Sequence, residues 1–261
     1  MTGRFLRYVA LGDSQTEGLG DGDDVTGVRG LADRLAERLA TVEPALTYAN
    51  LAVRGTLAGR IRAEQLARAR ALRPDVATVI AGVNDVLRPR CDLDAVAGHV
   101  EAMFAGLRAD GTVVATVTFP DIGRITPLAR PLAGRIAALN DRIRAAAGRH
   151  GVLVAETADH PVVADPRLWS PDRLHAGPLG HQRIADALAQ VLGVPGAGDD
   201  WTRPLDPLLA PSPAATVGAE IRWLATFLAP WIGRRLTGRS SADGRTAKRP
   251  ELLPVAVAAE P

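Results

Sequence analysis

The stretch Tyr8-Val9-Ala10-Leu11-Gly12-Asp13-Ser14-Gln15 lies near the start of the chain and decides how the rest is interpreted. An apolar run leads directly into a glycine, an acidic residue and a serine, which predicts a buried strand that ends in a tight turn before a helix. A serine hydroxyl is a weak nucleophile unless a base activates it. Ser14 is therefore a candidate nucleophile, with a helix N-cap as its alternative role.

Further apolar runs follow this stretch and alternate with segments of helical periodicity. The predicted strands cover residues 5–11, 46–51, 76–81, 112–118 and 152–155. Strands that alternate with helices predict an α/β fold with a parallel sheet covered on both faces. In such sheets ligands bind at the carboxyl ends of the strands. Residues that directly follow the strands are therefore the candidates for a site.

Three more polar blocks follow predicted strands or lie in a late loop: residues 50–55, 81–85 and 170–175. In the last block, Asp172 and His175 are close enough for the carboxylate to orient the imidazole, which then faces Ser14 as a base. Gly55 and Asn84 follow the second and third strands. A glycine N–H and a carboxamide, together with the Ser14 N–H, are suitable donors for a developing oxyanion.

These four blocks, in this order, resemble the SGNH hydrolases, also called GDSL esterases and lipases. The resemblance extends from Tyr8 to about Leu192. It implies a three-layer α/β/α sandwich with a flavodoxin-like, five-stranded parallel sheet. It further implies that Ser14, Asp172 and His175 form a catalytic triad, and that Gly55 and Asn84 complete an oxyanion hole with Ser14. Gln15 departs from the family pattern, which often has a hydroxyl or small residue there. Asp13 and Asp85 are interpreted as supports of their turns.

The bulk composition is that of a globular protein and points to no nucleic-acid partner. Of 261 residues, 47% are hydrophobic and 23% charged, with a formal net charge of +2. Cys91 is the only cysteine, so no internal disulfide forms. We found neither a signal peptide nor an apolar segment of bilayer length, and we expect a cytoplasmic protein. The sequence contains no metal-binding cluster or cofactor motif, so neither metal nor cofactor is predicted.

The chain divides by composition into four segments. We predict a hydrolase domain over residues 1–194, a Pro/Gly-rich linker over 195–215, an amphipathic helix over 216–237, and a basic, disordered tail over 238–261. Residues 216–250 hold seven basic and two acidic side chains. The apolar stripe of the helix either docks on protein, which we favour, or makes peripheral contact with a membrane. The oligomeric state is left open.

The predicted function is hydrolysis of a small-molecule carboxylic ester with a short- to medium-chain acyl group, through an acyl-enzyme. One alternative is a lysophospholipase or thioesterase that acts on long acyl chains at a lipid surface; another is a sugar-ester deacetylase. From other classes, we considered a non-catalytic binding module and a flavodoxin-like cofactor binder. Arg54, Arg88 and Arg90 are interpreted as solvated surface rather than as ligands of an anionic substrate. Trp169 and Leu174 either line an acyl pocket or pack under the late loop.

Overall fold

The computed structural model describes residues 5–207, 212–230, 233 and 241–256, and only the backbone of 213–216. Its centre is a six-stranded sheet in the order β7-β6-β5-β1-β4-β8. The strands are β1 (Arg7–Gly12), β4 (Thr47–Asn50), β5 (Val76–Ile80), β6 (Val113–Val117), β7 (Leu153–Ala155) and β8 (Arg249–Pro254). The first five of these are parallel, as predicted, and β8 is antiparallel. A small hairpin, β2 (Gly22–Asp23) with β3 (Gly27–Val28), lies outside the sheet.

Helices cover both faces of the sheet. They are α1 (Ser14–Glu17), α2 (Leu31–Val42), α3 (Ala58–Ala71), α4 (Val83–Val86), α5 (Leu93–Ala109), α6 (Ala133–His150), α7 (Pro178–Val191) and α8 (Pro213–Trp223). On one face α2 packs against α7, and on the other α5 packs against both α3 and α6. The result is the three-layer α/β/α architecture that we predicted, with six strands in the sheet instead of five.

The strand order determines where a site forms. From β1 the chain crosses to β4 on one side, and then returns to β5 on the other side. The direction of winding therefore reverses at β1, and a crevice opens at the carboxyl ends of the central strands. β5 is buried along its whole length, and β1 from Tyr8 onward. The rings of Tyr8 and Tyr48 stack at 5.1 Å across the β1/β4 pair and help to fix its register.

The expected linker and tail are in part structured. In the linker segment, Trp201 is buried and its indole N–H donates to Gln190 at 2.7 Å, so this part of the segment packs on α7. The expectation of a disordered tail is wrong for residues 249–254, which form β8 and pair with β4. Pro250 and Pro254 lack an N–H, and an edge strand tolerates this because it has only one neighbour.

The predicted amphipathic helix corresponds to α8 and a π-helical turn over Leu224–Leu228. Residues 231–232 and 234–237 of that prediction, Trp231, Arg234 and Arg235 among them, lie outside the described residues. Within the part of the chain that the structure describes, no helix is both long and apolar enough to cross a bilayer.

Candidate active site

Ser14 is placed by the end of β1. The side chain of Gln65 bonds both backbone groups of Gly12, accepting from its N–H and donating to its carbonyl oxygen, each at 2.9 Å. A Cβ at Gly12 would lie 2.2 Å from Oγ1 of Thr16 and 2.6 Å from the carbonyl oxygen of Ile80, so only glycine fits. Asp13 then caps α1 by accepting from the Gln15 N–H at 3.2 Å. The turn therefore starts α1 at Ser14 in a rigid position.

His175 lies between Ser14 and Asp172 in one hydrogen-bonded chain. Its Nδ1 is 2.6 Å from Oδ2 of Asp172, and its Nε2 is 2.8 Å from Oγ of Ser14. A carboxylate only accepts hydrogen bonds, so Nδ1 carries the proton of the neutral imidazole. Nε2 therefore accepts from the Ser14 hydroxyl, which is the arrangement required of a general base.

The carboxylate of Asp172 is held in its ionised form. Burial acts to raise the pKa of Asp172, but the hydrogen bond from His175, and the positive charge of that ring when it is protonated, outweigh it, and the pKa lies well below the ordinary aspartate value. Oδ1 also accepts from the Ser170 hydroxyl at 2.6 Å and from the N–H groups of Leu174 and His175 at 2.9 and 3.0 Å. These bonds close the loop tightly around Asp172, and Arg173 adopts a left-handed φ of +58° there.

Asn84 connects the blocks that follow the three central strands. Its Nδ2 donates to Oδ2 of Asp13 and to the carbonyl oxygen of Thr56, both at 3.1 Å. Asp13 precedes Ser14, and Thr56 follows Gly55, so the carboxamide lies beside both other proposed oxyanion donors. Gly55 has a φ of +74°, in the region that favours glycine. Burial raises the pKa of Asp13 to about 6.

Asp85 supports the loop that carries Asn84, as its position in the sequence suggested. Its Oδ2 accepts from the N–H of Ala58 at 3.0 Å, at the start of α3. Burial raises the pKa of Asp85 above the ordinary value. The bond joins the loop after β5 to the loop that carries Gly55.

The sequence did not reveal what Gln15 and Arg54 do. The side chain of Gln15 donates to the Leu174 carbonyl oxygen at 3.1 Å and accepts from the Ala176 N–H at 3.3 Å. Arg54 is not solvated surface, because its side chain is only 11% exposed and pairs with Glu17 at 2.6 Å. Arg88 and Arg90 are exposed, as predicted. The only sign of the role of Gln15 in the sequence was that a glutamine after the nucleophile departs from the family pattern.

His181 is a structural residue and not a second base. It is fully buried; its Nδ1 accepts from the Leu31 N–H at 3.1 Å, and its Nε2 lies 2.9 Å from the carbonyl oxygen of Leu19. Nε2 therefore carries the proton and donates it to Leu19. Burial lowers the pKa of His181 to about 4, so the ring is neutral at pH 7.

Two cavities adjoin the late loop. A small apolar cavity of about 80 Å³ is lined by Gln15, Val83, Trp169 and Leu174 among others. A larger cavity of about 280 Å³ lies on the His175 side. Among the described residues, no group of His, Cys, Asp and Glu side chains is arranged to hold a metal ion.

Comparisons with known proteins identify the family of the chain. The model of the GDSL-like lipase/acylhydrolase family matches residues 10–183, two thirds of the chain. The chain belongs to this family. It is accordingly a carboxylic ester hydrolase, and the binding-module and cofactor-binder alternatives are set aside. The matched residues contain every proposed site residue, whereas α8 and β8 lie beyond the match.

Solved structures share the fold of this hydrolase at low sequence identity. LAE5, an alpha/beta hydrolase enzyme from the metagenome of Lake Arreo, is 22% identical with a TM-score of 0.60, over 72% of this chain and 95% of its own. Axe2, an acetylxylan esterase from Geobacillus stearothermophilus, is 18% identical with a TM-score of 0.58, over 76% and 96%. TesA is 19% identical with a TM-score of 0.57, over 71% and 97%. No curated protein matches the chain.

Proposed function

We propose that this hydrolase cleaves carboxylic esters with short- to medium-chain acyl groups through an acyl-enzyme on Ser14. One observation carries the proposal: Asp172, His175 and Ser14 form a continuous hydrogen-bonded chain with links of 2.6 and 2.8 Å. Both distances are within the reach that general-base activation of a nucleophile requires.

In the acylation step, His175 Nε2 takes the proton of the Ser14 hydroxyl while Oγ bonds to the ester carbonyl carbon. The carbonyl oxygen becomes an oxyanion and accepts hydrogen bonds from the Gly55 N–H, the Ser14 N–H and one N–H of the Asn84 amide, which gives up its bond to Asp13 or Thr56 for this purpose. Collapse of this intermediate breaks the bond to the alcohol oxygen, which leaves with the proton from His175.

In the deacylation step, water attacks the acyl carbon and His175 takes a proton from it. A second oxyanion forms against the same donors. Its collapse breaks the bond to Ser14 Oγ, which recovers the proton from His175, and the carboxylic acid is released. Asp172 stays ionised throughout and stabilises the imidazolium, which accords with its lowered pKa.

The limit on acyl length rests on the smaller cavity. Gln15, directly after the nucleophile, and Leu174, directly before His175, line it, whereas Ser14 and His175 do not, and its volume is about 80 Å³. Its apolar lining suits a short hydrocarbon chain, and its volume is below the several hundred Å³ typical of sites for larger ligands.

The test is hydrolysis of p-nitrophenyl esters from acetate to laurate by the wild type and Ser14→Ala. We expect an optimum at short chains and a loss of about 10⁴-fold or more in kcat for Ser14→Ala. A serine-directed phosphonate should label the wild type alone. A Ser14→Ala protein that keeps wild-type turnover while folded would contradict the proposal.

A second candidate is action on long acyl chains at a lipid surface. On α8, Val217 and Ile221 are 59% and 63% exposed, which leaves an apolar face in water. Two of the described basic residues after this helix are, however, paired with carboxylates of the hydrolase domain: Lys248 with Asp33 at 2.6 Å, and Arg245 with Asp24 at 2.7 Å. Activity confined to long chains and stimulated by anionic vesicles would favour this second function.

A further inference from the structure

The larger cavity is bounded in part by residues outside the family match. It has a volume of about 280 Å³ and three main walls, and Leu87 completes the lining. One wall is the triad loop from Asp172 to His175, and the second is the connection between β6 and α6, with Ile122 and Leu128. The third comes from the end of α8 and the π-helical turn, with Trp223, Phe227 and Leu228.

This third wall is attached directly to the triad loop. The indole N–H of Trp223, which is 8% exposed, donates to the Asp172 carbonyl oxygen at 2.9 Å. Arg173 pairs with Glu220 at 2.8 Å, and its guanidinium lies 5.0 Å from the centre of the Trp223 ring. These contacts hold the end of α8 at a fixed place beside His175. The wall is therefore part of the site.

The position of the cavity relative to His175 indicates which part of an ester it receives. His175 must give its proton to the oxygen of the departing alcohol, so that oxygen lies within hydrogen-bond reach of Nε2. The group attached to it then extends on the His175 side. The oxyanion, in contrast, points to Gly55 and Asn84, and the groove on that side is lined by charged residues such as Asp85 and Arg88.

We propose that this cavity binds the alcohol portion of the ester, that this alcohol is an apolar alkyl or aromatic group, and that Trp223, Phe227 and Leu228 determine specificity for it. The inference rests on the proposed function, because it assigns the leaving-group side from the Ser14–His175 pair. The lining fits an apolar group, because most of the residues that form it are apolar, Ile122, Leu128, Leu132, Phe227 and Leu228 among them.

The experiment holds the acyl group constant and varies the alcohol, using ethyl, hexyl and 2-naphthyl acetate. In Phe227→Ala we expect the ratio of kcat/KM for hexyl acetate to that for ethyl acetate to fall about tenfold, since the alkyl chain loses an apolar wall. All three acetates form the same acetyl-Ser14, so the deacylation rate should be the same for each of them in every variant.

A matched control lies on the same helix. Ile221 is 63% exposed and does not line the cavity, so Ile221→Ala should keep the wild-type ratio. Phe227→Trp is a second variant that fills the cavity instead of opening it. We expect it to lower the ratio as well, by excluding the longer alcohol. Thermal unfolding of each variant checks that it is folded.

Three outcomes would overturn the inference. One is an equal fall in kcat/KM for ethyl and hexyl acetate in both Phe227 variants. Another is a fall in kcat/KM of the Phe227 variants that grows with acyl length among p-nitrophenyl esters, while the hexyl/ethyl ratio stays unchanged. That result would make the cavity an acyl site. The third, absence of Ser14-dependent turnover on any ester, would overturn the proposed function as well and is thereby distinguished from the first two.

Discussion

The side-chain amide of Gln15 donates a hydrogen bond to the carbonyl oxygen of Leu174 at 3.1 Å, so the residue after the nucleophile holds the residue before the base. Its Oε1 also accepts from the N–H of Ala176. The backbone on both sides of His175 is thus tied to the turn that carries Ser14. This link fixes the distance between two groups that are 161 residues apart in sequence.

Replacement of Gln15 by Leu should lower kcat on p-nitrophenyl acetate about tenfold, because the serine–imidazole geometry loosens. Steady-state kinetics on p-nitrophenyl acetate measure this. Gln182→Leu is the control, since Gln182 bonds Arg34 and Asp186 away from the site. Equal kcat values for Gln15→Leu and the wild type would refute the positioning role.

Replacement of Asn84 by Ala should reduce kcat by about 10²- to 10³-fold, the usual effect of losing one oxyanion donor. KM should change much less, since the donor acts mainly on the transition state. Thermal unfolding should show that the fold persists. A kcat within a few-fold of the wild type, in a folded variant, would remove Asn84 from the oxyanion hole.

His181 should make stability fall as the solution becomes acidic. Its pKa is about 4 in the folded protein, below the ordinary 6.5, so the unfolded chain binds the proton more readily. Stability from this group is complete above pH 6.5 and is lost progressively down to pH 4, with a loss of about 2 kcal/mol at pH 5.

The measurement is urea unfolding of the wild type and His181→Gln at pH 7 and pH 5. A glutamine both donates and accepts, so it suits the partners Leu19 and Leu31. The difference between the two proteins isolates His181 from Asp13, whose raised pKa acts in the opposite direction. Parallel pH dependence in the two proteins would show that His181 does not contribute.

Replacement of Glu17 by Gln should lower the free energy of unfolding by about 3 kcal/mol, because it leaves the nearly buried Arg54 without its main counter-charge. The Glu17 carboxylate also accepts from the backbone N–H of Arg54 at 2.6 Å, and Arg54 is next to Gly55. The control is Glu64→Gln: its pair with Arg60 is exposed on both sides, and we expect a change of at most about 0.5 kcal/mol. Similar unfolding midpoints for the two variants would contradict this prediction.

The sequence was most informative where a pattern is local. Parallel strands such as β5 are buried on both faces and read as uninterrupted apolar runs, so their positions were predictable. The site residues were predictable because each block directly follows a strand or precedes the last helix of the domain. The wider sheet was missed because β8, Arg-Pro-Glu-Leu-Leu-Pro, is an edge strand with charges and prolines, and such strands lack that pattern.

The C-terminal helix shows why periodicity alone was insufficient. The apolar stripe predicted a face for docking, yet Val217 and Ile221 of that stripe are exposed, and Trp223 makes the contact with the triad loop. A single indole N–H donating to a backbone oxygen, with an arginine over its ring, determines how the helix lies. Contacts of this kind depend on three-dimensional proximity and leave no periodic signal.

The pairing of β8 with β4 has a consequence for biosynthesis. Tyr48 is opposite Leu253, so β4 is synthesised some two hundred residues before β8, the strand with which it pairs. Until β8 has emerged from the ribosome, the N–H and C=O groups on the outer edge of β4 have no strand partner and can pair with another extended chain. Closure of so long a loop is slow compared with local helix formation. During that interval β4 is the open edge of the sheet, and pairing with β8 is what later closes it.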